Sequence, residues 1–119
     1  NDLKTQALES ECGASVTTLP DPQGKVELGA MLRDLAQKQQ FNELHVEAGC
    51  KLNGSLLRAG LVDELLVYLA PKLVGPGLGM ASLAPLAQLS QAQELEFQAL
   101  DRVGRDVRIL ARLRGRDAF

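Results

Sequence analysis

The sequence predicts a mixed α/β domain: a mainly parallel sheet flanked by helices, closed by an antiparallel hairpin at its C-terminal edge. Three observations carry that expectation. Helix-period segments alternate with short apolar runs over the first seventy residues, the pattern of strand-helix-strand crossovers. Two runs of alternating apolar and polar residues then flank Val103-Gly104-Arg105, which reads as a hairpin. A chain of 119 residues with 45% hydrophobic and 24% charged residues is one domain's worth of material around one core.

The elements follow in order. Residues 2–11 place Leu3, Ala7 and Leu8 at helical spacing, with Gly13 as the stop. Ser15 to Leu19 is a short β-rich run, closed by Pro20-Asp21-Pro22, where neither strand nor helix continues. From Glu27 to Gln39 the set Leu28, Met31, Leu32 and Leu35 falls at i, i+3, i+4 and i+7, one face of an amphipathic helix. Glu43 to Glu47 is expected as a strand. Cys50 or Lys51 to Ala59 is a helix ended by Gly60, at a position that needs positive φ. Glu64 to Leu73 reads as a long strand buried on both faces, with Pro71 forcing a bulge or an unpaired amide. Gly75 to Leu89 is loop, and Leu95–Arg102 and Asp106–Leu113 form the hairpin.

Bulk properties narrow the function classes. A formal charge of −2 gives no long-range attraction for nucleic acid, and the arginines near the end are interleaved with acids. Cys12 and Cys50 lack both metal-site spacing and disulfide density, which fits a reduced, cytoplasmic setting. No apolar stretch approaches the roughly 20 residues a bilayer span requires. The polar opening NDLKTQALESE, without a starting methionine, reads as the continuation of a longer polypeptide.

The chemistry concentrates between Glu47 and Ser55. A helix beginning after a glycine turn offers unpaired amides to an anion, and a carboxylate beside them can hold a polar ligand in register. Glu47 stands there either as a ligand contact or as a cap for the following helix. Gly49 allows close backbone approach and Gly54 clears the first turn, while Asn53 and Ser55 add short donors. A tight turn with close helix packing accounts for the same glycines equally well. Lys51 can neutralise a phosphate at the helix start. His45, on the same side of its strand as Glu47, reads first as a packed residue, and Cys50 as a small loop residue. No catalytic acid or base and no metal ligand is assigned.

Val46-Glu47-Ala48-Gly49, Leu52-x-Gly54-Ser55-Leu56-Leu57 and Ala59-Gly60-Leu61-Val62-Asp63-Glu64 together resemble the reductase domain of the bifunctional riboflavin-biosynthesis deaminase/reductase. Tyr68-Leu69-Ala70-Pro71-Lys72-Leu73-Val74-Gly75 and Gly104-Arg105-Asp106-Val107 continue the pattern. The resemblance implies a dihydrofolate-reductase-like fold of which only the C-terminal portion is present. It implies NADPH-dependent reduction of the ribosyl group of 5-amino-6-(5-phosphoribosylamino)uracil to the ribityl form, by a homodimer. It places Glu47 on the substrate and Gly49, Cys50, Lys51, Leu52, Asn53, Gly54 and Ser55 on the cofactor. Cys50 and Lys51 depart from that family's usual small residue or proline followed by a hydroxyl residue. The upstream half of the reductase domain and the zinc deaminase domain, with its H-x-E and C-x-x-C signature, have no counterpart here.

Two other readings stand beside this one. A related reductase of the same fold can act on another pyrimidine or a pterin. A non-catalytic assembly module would use the 65–73 strand and the terminal hairpin as contact elements, since unpaired edges and apolar faces attract a second copy.

Overall fold

The computed structural model describes residues 2–116. They fall into two compact units, divided between Leu44 and His45.

The first unit holds two helices. Helix α1 (Asp2–Cys12) stops at Gly13, where φ is 63°, and the amide of Ala14 returns to the carbonyl of Leu8 at 3.2 Å. The 15–19 run forms no ladder. Just beyond it Pro20 bridges Val26, over a turn in which Asp21 Oδ1 accepts from the amides of Gln23 and Lys25. Asp21 thus satisfies the turn's amides locally, in competition with any strand pairing. Helix α2 (Leu28–Gln39) matches the expected amphipathic segment. Glu27 caps it, accepting from the amides of Gly29 and Ala30 and lying 3.6 Å from Arg33.

The second unit carries the sheet. Helix α3 (Cys50–Arg58) ends at Ala59, and Gly60 follows with φ 65°, as its place in the sequence requires. Strands β1 (Glu64–Leu69), β2 (Leu95–Val103) and β3 (Asp106–Leu113) form a three-stranded sheet in the order β1-β3-β2. The hairpin is where the sequence puts it, turning through Gly104 at φ 62°, with one irregularity between Phe97 and Ala99.

The expected mainly parallel sheet is not what these residues build. Both pairings, β1 with β3 and β2 with β3, are antiparallel. The 43–47 run, expected as the parallel neighbour, forms no strand, because a strand exists only where a partner satisfies its backbone and no described segment pairs with it. Nor is β1 buried on both faces. Leu65 and Val67 are half-buried while Leu66 and Tyr68 are exposed, the one-sided burial of an antiparallel strand. It also ends at Leu69 rather than Leu73. Pro71 cannot donate to a ladder, and the Lys72 amide turns back to the Ala70 carbonyl at 2.8 Å.

The register gives the two faces different characters. One carries Glu64, Glu96, Asp101, Arg108 and Arg112 beside Leu66, Tyr68, Ala99 and Leu110, with Arg108 Nη2 2.7 Å from Asp101 and Arg112 Nε 3.4 Å from Glu64. The other carries Leu65, Val67, Leu69, Leu95, Phe97, Leu100, Val107, Ile109, Ala111 and Leu113, together with Arg102. Ala111 and Leu113 are buried there, as is Leu56 of α3, whereas Phe97 and Leu100 stay more than 60% exposed. The segment leaving α3 is fastened to the sheet through Asp63, whose carbonyl accepts from Leu113 and whose carboxylate lies 3.6 Å from Arg116.

Candidate functional site

Helix α3 opens without a side-chain cap. Gly49, extended at φ −81° and ψ 173°, has no side chain to offer, and the first intrahelical bond runs from Asn53 N to Gly49 O at 3.1 Å. The amides of Cys50, Lys51 and Leu52 therefore precede the helix's own bonding, and the partial positive charge of the helix end lies with them. Lys51 and Leu52 are exposed, and Lys51 has no ion-pair partner among the described residues. A Cβ at Gly49 would meet no atom within 4 Å. This end of the helix is open, and its chemistry suits a phosphate-bearing ligand.

Glu47 does not cap the helix. Its side chain is 90% exposed and, among the described residues, its partner is His45, with Nε2 and Oε1 3.6 Å apart. Of the two readings the sequence left open for Glu47, the cap is the one the structure lacks. His45 is also exposed, not packed, because the 43–47 run joins no sheet among the described residues.

The far side of the first turn is closed. Gly54 is buried beneath the loop that follows β1, and a Cβ there would fall 2.2 Å from the Ser82 carbonyl oxygen. The loop is held by Ser82 N to Cys50 O at 2.9 Å and by the Arg58 guanidinium donating to the Ser82 carbonyl. Asn53 Nδ2 donates both to Met80 O at 2.9 Å and to Ala48 O at 3.1 Å. Ser55 Oγ donates back to Lys51 O at 3.1 Å and accepts from Arg58 Nη2 at 3.0 Å. Three of the seven positions expected to face a cofactor, Asn53, Gly54 and Ser55, thus have their side chains, or the absence of one, committed to the protein. Gly54 follows the close-packing alternative. The 79–82 segment that packs here lies within the Gly75–Leu89 stretch expected as loop. Its one available signal was a glycine at 54 inside an otherwise regular helix, which implies a backbone passing close by.

Elsewhere in this unit an open groove of about 410 Å³ is lined by Leu69, Ala70, Pro71, Lys72, Leu73, Arg105 and Val107. No helix of the described residues is long and apolar enough to cross a membrane.

A family model described as the RibD C-terminal domain matches residues 2–109, nearly the whole chain. The chain belongs to the RibD C-terminal domain family. Among its curated relatives is the riboflavin biosynthesis protein RibD of Escherichia coli, 43% identical over 107 residues, which cover 87% of this chain and 29% of that one. A 5-amino-6-(5-phosphoribosylamino)uracil reductase of Buchnera aphidicola is 30% identical over 91 residues, covering 76% of this chain and 44% of that one. The chain therefore spans less than half the length of these relatives. Among solved structures, RibD of Acinetobacter baumannii matches with a TM-score of 0.65 and 26% identity, over 75% of this chain and 25% of that one. The fold is thus the mixed α/β arrangement of RibD structures.

Proposed function

We propose that this chain supplies part of the active site of a riboflavin-biosynthesis reductase, which reduces 5-amino-6-(5-phosphoribosylamino)uracil to its ribityl form with NADPH. Family membership supports the reaction class. The observation that carries the site is the uncapped start of α3, with three amides that have no partner among the described residues, beside an exposed Glu47 whose contact is an exposed His45. In this reading the dinucleotide lies along Gly49, Cys50, Lys51 and Leu52, held mainly by main-chain amides with Lys51 adding charge. Asn53, Gly54 and Ser55 belong to the same site as its inner wall. Bound nicotinamide supplies the hydride, so the protein's task is orientation. Glu47 accepts hydrogen bonds from the substrate and fixes its position. It is not required as a strong base.

The finer features of the reading go with this proposal: a dihydrofolate-reductase-like fold completed by chain outside this sequence, a cytoplasmic setting, and a homodimer. The exposed apolar sheet face at Leu69, Phe97 and Leu100 favours the dimer, since such faces are normally covered. Light scattering checks it: a dimer whose mass is indifferent to NADPH would favour an assembly role over a catalytic one.

The deciding experiment is Glu47→Gln in the whole protein. Turnover of the phosphoribosylamino-pyrimidine is expected to fall about 100-fold, the loss typical of a misplaced substrate, with NADPH affinity held within about two-fold. Equal loss of both, or loss of neither, refutes the role given to Glu47.

A further inference from the structure

We infer that Asn53 is a positioning residue of this site, locking the Glu47–Gly49 turn and the 79–82 loop into one arrangement, and makes no contact of its own with the cofactor. The inference rests on the reading of α3 given under Proposed function and deepens it. A phosphate needs donors, and both hydrogens of the Asn53 amide are already directed at carbonyls, Ala48 O at 3.1 Å and Met80 O at 2.9 Å. That orientation is fixed chemically, because the reversed amide would set Oδ1 against two carbonyl oxygens. Ala48 lies between Glu47 and Gly49, so the bond fixes the Ala48–Gly49 peptide, which joins the Glu47 carboxylate to the first open amide, that of Cys50. The second bond reaches the loop that Ser82 N and Arg58 also fasten, over a Gly54 that leaves no room for a Cβ. One side chain thereby couples the two segments bordering the open amides.

The test uses Asn53→Asp, which keeps the shape and removes the donor, with Asn53→Ala as a second variant should the carboxylate unfold the turn. Gly54→Ala displaces the same loop with Asn53 intact. Two quantities are read in the whole protein: hydrogen exchange of the Ser82 amide without ligand, and NADPH affinity. Each Asn53 variant should speed Ser82 exchange about ten-fold, as expected for a lost hydrogen-bonded tether. Each single variant should weaken NADPH about ten-fold. The Asn53→Ala/Gly54→Ala pair should be no more than about two-fold weaker than either alone, because both act through one element. Weakened NADPH with unchanged Ser82 exchange, or fully additive losses, would mean that Asn53 touches the cofactor directly and overturns the inference. Faster exchange with unchanged affinity overturns the positioning role and leaves a structural tether. If the unaltered protein binds no NADPH, the functional reading fails and the positioning role with it, while the exchange result still decides the tether.

Discussion

Replacing Gly54 with alanine sets two physical expectations against each other with opposite signs. Intrinsic helix propensity favours alanine over glycine within a helix by about 1 kcal/mol. The structure demands the reverse. A Cβ would lie 2.2 Å from the oxygen and 2.8 Å from both the carbonyl carbon and the nitrogen of Ser82, all backbone atoms that cannot swing aside as a side chain would. Relief requires the 79–82 loop to lift. Lifting it breaks three hydrogen bonds: Ser82 N to Cys50 O, Asn53 Nδ2 to Met80 O, and Arg58 to Ser82 O. At roughly 1 kcal/mol each, set against the propensity gain, the net destabilisation is about 2 kcal/mol. Urea unfolding read at constant m-value measures it as a lower midpoint. A stabilised Gly54→Ala protein would refute the reasoning outright, since it would place the loop away from the helix.

Two further perturbations probe the frame around the site. Gly104→Ala forces a side chain into the left-handed region at φ 62° in the hairpin turn, at a cost of about 1–2 kcal/mol, and Gly104→Asn should recover part of it; both are read by urea midpoint. The hydrogen bond and charge of Asp101 raise the pKa of the Arg108 guanidinium above its ordinary value. A raised folded-state value means that the stabilisation is complete below the unfolded value and is lost only as pH climbs through the folded one, far into alkali. The midpoint difference between the unaltered protein and Arg108→Gln should therefore be the same at about pH 6 and about pH 9. A difference that shrinks at the higher of these would show that Arg108 is not the group responsible.

What the sequence made legible was local. The helix of 28–39 declared itself through Leu28, Met31, Leu32 and Leu35. The end of α3 showed in Gly60, and the hairpin in the alternation around Gly104. Each of these rests on residues a few positions apart. The parallel sheet was the failure, and it failed for one reason: pairing is a property of two segments. Apolar content at 43–47 and 64–73 is compatible with parallel neighbours, but it does not say which strand lies alongside. The hairpin strand β3 took the position beside β1. The inner wall of the site was hidden in the same way. Nothing near Asn53 in sequence announces Met80, 27 positions away.

The glycines at 49 and 54 show how structure divides a motif that the sequence presents as one. At Gly54 a packed backbone explains the missing side chain completely, and no ligand is needed. At Gly49 no packed neighbour explains it: φ is −81°, which any residue adopts, and the space a Cβ would occupy is empty to 4 Å among the described residues. What remains within the chain is glycine's modest preference over alanine as an N-cap, and the empty space at the mouth of the helix is where the proposed ligand would come close. Gly49→Ala should therefore cost stability no more than the about 1 kcal/mol by which glycine exceeds alanine as an N-cap, yet, on the proposed reading that the dinucleotide approaches here, weaken NADPH about ten-fold or more. The Gly54→Ala protein inverts the emphasis, losing stability first and affinity only as its loop moves. Unchanged NADPH affinity in Gly49→Ala, with unfolding as for the unaltered protein, would remove the cofactor from this end of α3.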